Sequence, residues 1–173
     1  RMFPKILDGK KVADSILSDI KEKLKKDYPR KPKLAAIITT DNPASLTYVS
    51  RKVDACSQVG FLSEVHTLYP DSTQTLIDHI HKLNADDTID GILVQLPLPE
   101  HINPIEILEQ IDPKKDVDGF HPMNLGKVLI GDDSSFYPCT PLGIKVLLDH
   151  YEISPAGKHM VIVGRSNIVG KPL

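Results

Sequence analysis

The sequence predicts an α/β protein whose sheet is mostly parallel. Two observations support this prediction. Short apolar segments of strand length alternate with longer segments whose apolar residues recur at helical spacing. Turns that contain proline and glycine separate the two kinds of segment. Because a regular alternation of strand and helix favours parallel strands joined by right-handed crossovers, we predict an N-terminal α/β domain followed by the start of a second α/β domain.

The predicted elements follow one another with short turns between them. A helix over about residues 10–26 comes first and ends before the turn that contains Pro29 and Pro32. The next elements are a strand over 34–39, a helix over 43–59 that Gly60 ends, a strand over 61–68, a helix over about 73–84, a strand over 91–96 and a helix that opens at 104. Further on, the pattern predicts a helix over 141–151 and a buried strand over 159–163.

Residues 112–139 interrupt this alternation. They are rich in Gly, Pro, Asp and Asn and contain one short apolar piece, residues 125–130. A long irregular stretch inside a compact domain is usually functional or disordered. Since helical composition returns directly after it, we predict a domain boundary near residue 140, with one domain over 1–140 and the beginning of another over 141–173.

The overall composition is that of an ordinary globular protein and excludes several classes of partner. Among the 173 residues, 40% are hydrophobic and 25% are charged. The net charge of -2 gives no reason to expect nucleic acid or an acidic membrane as a partner. There is no apolar run of bilayer length and no secretory signal, so we expect a reduced cytoplasmic location. Cys56 and Cys139 lack metal-ligand spacing, and no metal site is predicted.

Gln95 is the first candidate for a functional side chain. It interrupts the apolar run of residues 91–96, and Pro97 and Pro99 end the strand because proline cannot donate to a sheet ladder. A side-chain amide is therefore predicted at the carboxyl end of a central strand, the edge at which α/β sheets bind ligands. Taken alone, a satisfied polar group at a strand exit is the more frequent explanation.

Tyr48 and Lys52 form the second candidate. They lie four residues apart in the predicted helix over 43–59, so their side chains share one face. That helix begins at the carboxyl end of the first strand, and we therefore expect Tyr48, Lys52 and Gln95 to face one cleft. For an arbitrary pair with this spacing, a solvated lysine beside a half-buried tyrosine is the usual explanation.

The last segment predicts a strand that runs into a glycine turn, residues 159–170. Such a turn places backbone N–H groups and a helix N-terminus against phosphate. Ser166 and Val169 stand where the standard dinucleotide fingerprint has its second and third glycines. Arg165 and Ser166 can meet a ribose 2′-phosphate, which favours NADP over NAD, while a ligand-free connection is an equal alternative. A complete Rossmann-type domain needs on the order of a hundred further residues, so we expect a fragment or truncated form.

Five motifs occur in order along the chain: YVSRK at 48–52, VQLPLP at 94–99, KDVDGF at 115–120, PCTP at 138–141 and GRSNIVG at 164–170. Together they closely resemble the bifunctional methylenetetrahydrofolate dehydrogenase/methenyltetrahydrofolate cyclohydrolase family. The resemblance runs from Leu7 to the last residue. One departure is Asp54, where the family commonly has a basic residue; it lies off the face of Tyr48 and Lys52, so we expect a change in surface charge alone.

The resemblance implies a role for each matching residue. Lys52 resembles the catalytic lysine, and Gln95 resembles the glutamine that holds it. The other implied roles are an aromatic folate platform at Tyr48, a pterin-binding carboxylate at Asp118, pocket walls at Leu96 and Pro97, and NADP contacts at Gly164, Arg165, Ser166 and Ile168. Tyr48, Lys52, Gln95 and Asp118 would form the catalytic group, followed by a Rossmann-type NADP-binding domain.

The resemblance also implies two reactions on tetrahydrofolate derivatives and a homodimer in the full-length protein. One is the NADP-dependent oxidation of 5,10-methylene-tetrahydrofolate to 5,10-methenyl-tetrahydrofolate; the other is hydrolysis of that product to 10-formyl-tetrahydrofolate. Hydrolysis needs proton transfer beside a cationic substrate, and both burial and a neighbouring cation favour the uncharged amine of a lysine. The alternative is a truncated folate-binding fragment without dehydrogenase turnover. An unrelated NAD-dependent dehydrogenase fits the motifs less well.

Overall fold

The computed structural model describes residues 5–173 and confirms the α/β class, with a three-stranded parallel sheet between helices. The helices are α1 (Gly9–Asp27), α2 (Pro43–Val59), α3 (Thr73–Ala85), α4 (Pro104–Leu108), α5 (Pro122–Ile130) and α6 (Cys139–His150). The strands are β1 (Lys33–Ile38), β2 (Leu62–Thr67) and β3 (Gly91–Val94). Within the described residues, no helix is both long enough and apolar enough to cross a membrane.

The strand order is β2-β1-β3, which makes β1 the central strand. The prediction of a central strand over 91–96 was wrong in this respect. β3 pairs with β1 on one side, and on its other side it meets the irregular segment over 112–120, which supplies one isolated bridge from Asp116 to Ile92. β3 also ends at Val94, although the backbone N–H of Gln95 still donates to the Ile37 carbonyl at 2.9 Å.

Two apolar layers cover the two faces of the sheet. On one face, Val49 of α2 packs against Ala36, Ile38 and Leu93. On the other, α3 and α4 pack against the alternate side chains of β1 and β3 in a larger cluster: Ala35, Ile37, Leu76, Ile77, Ile80, Leu83, Ile89, Ile92, Val94, Ile102, Ile107, Leu108 and Ile111. Every residue of β3 is buried, as expected of a parallel strand covered on both faces.

Local side-chain contacts explain why the predicted helices begin and end where they do. The side chains of Asn42, Ser72 and Asn103 each accept a hydrogen bond from a backbone N–H in the first turn of the helix that follows. Gly60 ends α2 in the left-handed conformation, with a φ of 95°. These ends depend on residues adjacent in sequence, and they agree with the sequence prediction to within one or two residues.

Helix α5 lies inside the stretch that was predicted to be irregular. His121 Nδ1 accepts the backbone N–H of Met123 at 3.0 Å, Pro122 occupies the first helical position, and Gly131 ends the helix with a φ of 73°. The helix has only nine residues, and Leu129 and Ile130 are exposed. A helix of nine residues spans fewer than three turns, so its apolar residues repeat too few times for the sequence pattern to indicate it.

The buried strand predicted over 159–163 is not present. Val161 is 71% exposed and Val163 is 99% exposed, and no described strand pairs with this segment. A parallel strand has no backbone hydrogen bonds of its own, so an apolar segment without a neighbouring strand lacks the ladder that would define it. After it the chain forms hydrogen-bonded turns, in which Lys171 N–H donates to the Ser166 carbonyl at 3.0 Å.

Candidate active site

Lys52 lies where three separate segments of the chain meet. Helix α2 packs onto the sheet through buried Val49, and Lys52 follows on the next turn of that helix. Its Nζ donates to Gln95 Oε1 at 3.3 Å and lies 3.9 Å from Asp118 Oδ1. The structure therefore brings together three of the four side chains that the sequence assigned to the catalytic group.

Gln95 presents its amide oxygen to Lys52 because its amide nitrogen is already occupied. The side-chain Nε2 donates to the Leu96 carbonyl at 2.9 Å, while Oε1 accepts from Lys52. Both ends of the amide are thus used, and its orientation follows from the two contacts. The next peptide bond, between Leu96 and Pro97, is cis. Gln95 can hold the lysine nitrogen without adding a charge.

Asp118 is the buried member of the group. Its side chain is 16% exposed, against 36% for Lys52. Burial raises the pKa of Asp118; the Lys52 ammonium opposes this rise, and the negative charge of Asp116 adds to it. The surroundings of Asp118 therefore favour its protonated form more than those of an exposed aspartate do.

We expect Asp118→Asn to raise the free energy of unfolding at neutral pH. A carboxyl whose pKa is higher in the folded state than in the unfolded chain binds its proton more tightly when folded, so stability falls as pH rises from about 4 through the folded-state pKa. Asparagine does not ionise and does not carry this loss. The gain over the wild type should be present near pH ~7 and absent near pH ~3, as measured by urea unfolding.

The matched control for this prediction is Asp54→Asn, on the exposed side of α2. It should change the free energy of unfolding by less than about 0.5 kcal/mol at either pH. A gain for Asp118→Asn of equal size at both pH values would show that its origin is not the ionisation of Asp118.

Tyr48 lies one turn before Lys52 on α2, and its side chain is 57% exposed. An exposed ring beside a polar cluster can offer its face to a planar ligand. Pro97 is also exposed, and Leu96 is half-buried. These three residues are close in sequence to Lys52 and Gln95 and carry no charge, and their role in binding substrate stays a prediction.

A cavity of about 710 Å³ is lined in part by the segments that carry Gln95 and Asp118. Leu96 and Phe120 line it; Leu96 directly follows Gln95, and Phe120 lies two residues after Asp118. Its remaining walls come from α4, α5 and the C-terminal turn, and they are mostly apolar: Pro104, Ile105, Leu108, Pro122, Leu125, Gly126, Val128, Leu129, Asn167, Ile168, Lys171 and Pro172. Leu96, predicted to bind substrate, and Ile168, predicted to bind cofactor, therefore line the same cavity.

The predicted cofactor turn is formed, although the strand before it is not. An added Cβ at Gly170 would lie 2.4 Å from the Gly164 carbonyl oxygen, so this close approach requires glycine. Ser166 Oγ accepts the backbone N–H groups of Val169 at 3.1 Å and Gly170 at 3.4 Å, which leaves its hydroxyl proton free to donate to an anion. Arg165 is exposed on the same turn. These residues fit a phosphate-bearing ligand and lie apart in sequence from the Lys52 group.

Sequence reasoning gave no role to Asp116, which the structure shows to be 1% exposed and hydrogen bonded on both carboxylate oxygens. A signal was available in the motif itself. An aspartate just before a glycine turn commonly accepts backbone N–H groups of that turn, and Asp116 does so here. Gly119, with a φ of 70°, completes that turn.

Comparison with known proteins places the chain in a family. The model for the catalytic domain of tetrahydrofolate dehydrogenase/cyclohydrolase matches residues 7–118, and the model for the NAD(P)-binding domain of the same family matches residues 138–173. The bifunctional protein FolD of Protochlamydia amoebophila is 52% identical over 169 residues, which cover 97% of this chain and 58% of the relative.

Two solved structures are similar as well. The bifunctional enzyme FolD, methylenetetrahydrofolate dehydrogenase/cyclohydrolase, of Campylobacter jejuni is 48% identical with a TM-score of 0.93, over 97% of this chain and 61% of that one. The Trypanosoma brucei N5,N10-methylenetetrahydrofolate dehydrogenase-cyclohydrolase, complexed with NADP and an inhibitor, is 31% identical with a TM-score of 0.91, over 98% and 60%.

The chain thus spans about 60% of the length of these relatives. The family that the five motifs resemble is confirmed by both family models and by the relatives. The chain belongs to the tetrahydrofolate dehydrogenase/cyclohydrolase family.

Proposed function

We propose that the protein containing this chain oxidises 5,10-methylene-tetrahydrofolate to the 5,10-methenyl form with NADP and hydrolyses that product to 10-formyl-tetrahydrofolate. The observation that carries the proposal is the contact of Lys52 with both Gln95 and Asp118 inside the segment that matches the family's catalytic domain. In this assignment the catalytic group is Lys52, Gln95, Asp118 and Tyr48. The domain division near residue 140, the homodimer and the cytoplasmic location stay predictions.

In the hydrolysis, Lys52 is assigned the proton transfer. Water adds to the methenyl carbon and gives up a proton to the lysine as the free amine. The bond from that carbon to the ring nitrogen then breaks as the added hydroxyl becomes the formyl carbonyl, and the hydroxyl proton ends on the ring nitrogen. Gln95 Oε1, 3.3 Å from Nζ, keeps the amine in place and adds no charge beside a cationic substrate.

Asp118 binds the pterin ring in this proposal. Its ionised form offers two acceptor oxygens to adjacent ring N–H donors, which is a bidentate match. Burial strengthens such hydrogen bonds because solvent competes less, and the side chain is 16% exposed. Tyr48 offers an exposed ring face, and the cavity lined by Leu96 and Phe120 provides apolar surface beside it.

The oxidation uses NADP as the hydride acceptor, and the chain's own contribution is to bind it. Ser166 retains a hydroxyl donor, and Arg165 is exposed beside it, a combination suited to a ribose 2′-phosphate. Gly164 and Gly170 allow the close backbone approach that a phosphate-binding turn needs. An NADP-bound relative of 31% identity supports this assignment.

Asp118→Ala is expected to weaken folate binding much more than NADP binding. The alanine removes both acceptor oxygens from the pterin site and leaves the turn over 164–170 unchanged. Loss of a charged hydrogen-bond partner corresponds to a decrease in affinity of at least roughly tenfold. Isothermal titration of the protein with tetrahydrofolate and, separately, with NADP measures the two affinities. Equal losses for both ligands would argue against a pterin contact.

A second candidate is a folate-binding chain without dehydrogenase turnover. The observation that favours it is the unpaired, exposed segment over 159–163, which precedes the cofactor turn. Assays of the 173-residue chain for methenyl hydrolysis and for NADP reduction separate the two candidates. Hydride transfer to NADP by this chain would exclude the second one.

A further inference from the structure

The loop that carries Asp118 also contains a fully buried carboxylate. Two residues before Asp118, Asp116 is 1% exposed, so its carboxylate lies fully inside the protein. Its backbone is fixed as well, through the isolated bridge with Ile92, in which Ile92 N–H donates to the Lys115 carbonyl at 2.7 Å. A buried carboxylate is costly unless each oxygen has partners.

Both oxygens of Asp116 are occupied, and all three donors lie after Asp118 in sequence. Oδ1 accepts the backbone N–H of Phe120 at 3.3 Å, and Oδ2 accepts that of His121 at 2.9 Å. Asn124 Nδ2 donates to Oδ2 at 2.8 Å. The side chain of Asp116, which precedes Asp118, is therefore hydrogen bonded to residues that follow Asp118. These hydrogen bonds close the turn that carries Asp118.

This closed turn is attached to two helices. Asn124 belongs to α5, and its Nδ2 also donates to the Pro113 carbonyl at 3.0 Å. Lys115 Nζ donates to the carbonyls of Asn84 at 2.8 Å and Asp86 at 2.9 Å, at the end of α3. Because α3 is packed into the main apolar cluster, these contacts connect the loop to the rigid part of the fold.

We propose that Asp116 is a positioning residue: its hydrogen bonds to Phe120, His121 and Asn124 hold the turn in which the Asp118 carboxylate faces Lys52. The inference rests on the proposed role of Asp118 in folate binding. A neutral amide at position 116 cannot replace it, because asparagine has one acceptor oxygen for three donors and its NH₂ group would face either a backbone N–H or the NH₂ of Asn124. Precise binding groups generally depend on such supporting contacts.

The principal test compares Asp116→Asn with Asp112→Asn. Asp112 lies in the same loop, but its Oδ1 accepts only the Lys114 N–H at 2.9 Å among the contacts described, so the control removes a charge without opening the turn. We expect Asp116→Asn to bind tetrahydrofolate roughly tenfold more weakly in calorimetric titration, and Asp112→Asn to bind it as the wild type does.

A second measurement tests whether Asp116 acts on Asp118 itself. The ¹³C carboxyl resonance of Asp118 is titrated without folate, in variants shown to be folded by their cooperative unfolding. The groups that face Asp118 are Lys52 from α2, Asp116 from its own loop and Cys139 from α6. Since the Asp116 charge raises the pKa of Asp118, the midpoint should move to lower pH in Asp116→Asn and stay in place in the control.

If Asp116→Asn does not fold, Asn124→Ala tests the same proposal, because it removes one hydrogen-bond donor to Asp116 and keeps the Asp116 carboxylate. It should weaken folate binding in the same direction by a smaller factor. The proposal is overturned if Asp118→Ala loses folate affinity but a folded Asp116→Asn or Asn124→Ala variant keeps the wild-type affinity. Wild-type affinity in Asp118→Ala would instead refute the proposed pterin contact of Asp118, while the ¹³C titration would still test the effect of Asp116 on Asp118.

Discussion

Lys52→Gln is expected to abolish hydrolysis of 5,10-methenyl-tetrahydrofolate while folate binding persists. Glutamine can still hydrogen bond with Gln95 Oε1 through its amide, but it cannot accept and release a proton at neutral pH. Loss of a general acid–base group reduces a rate by about 10²–10⁴-fold. The rate is measured as the disappearance of the methenyl chromophore, corrected for the uncatalysed reaction, and folate affinity is measured by calorimetric titration of the same sample.

Arg51→Gln provides the matched control, because Arg51 is the preceding residue of α2 and is exposed. It removes one positive charge from the same helix without touching the contact between Lys52 and Gln95. Its rate of ring opening should equal that of the wild type. If ring opening in Lys52→Gln also continued at the wild-type rate, the lysine would have no part in the mechanism.

Gly119→Ala should have the largest effect on stability. Gly119 has a φ of 70°, and an added Cβ would lie 2.5 Å from the Tyr137 carbonyl carbon and 2.7 Å from Pro138 N. These are backbone atoms, and Pro138 is among the fully buried residues, so neither can move easily. The left-handed conformation and the steric clash together should lower the free energy of unfolding by roughly 3 kcal/mol or more.

The same substitution should also reduce folate affinity, because Gly119 directly follows Asp118. Gly143→Ala is the control: Gly143 lies inside α6, and an added Cβ there meets no atom within 4 Å. Alanine at this position should raise the free energy of unfolding by about 0.5–1 kcal/mol through its higher helix propensity. Urea unfolding measures both variants, and a wild-type midpoint for Gly119→Ala would contradict the close approach of Tyr137.

Much of the N-terminal fold can be predicted from local signals. The side chains of Asn42 and Ser72 cap α2 and α3, and Gly60 ends α2, because each acts on backbone groups within a few residues. The signals failed where the outcome depends on distant neighbours. The segment over 159–163 has the composition of a buried strand, but it has no paired neighbour among the described residues.

The candidate site shows the same division. Tyr48, Lys52, Gln95 and Asp118 can be selected from the sequence through the family motifs, and the spacing of the first two places them on one helix face. Their selection does not indicate how strongly each is buried. The prediction that β3 is the central strand was wrong for a related reason: a buried apolar run indicates cover on both faces and does not reveal which strands lie beside it.

By itself, the sequence determined the α/β class, the bounds of most helices and the family to which the chain belongs. Only the tertiary structure decided that Asp116 is enclosed by donors from the turn and α5, and that Asp118 is a half-buried carboxyl with a raised pKa. The physical reason is the separation in sequence between the residues that interact. Helix caps and turns depend on hydrogen bonds between near neighbours, whereas desolvation and ion pairing at the site depend on residues far apart in sequence, such as Lys52 and Asp118.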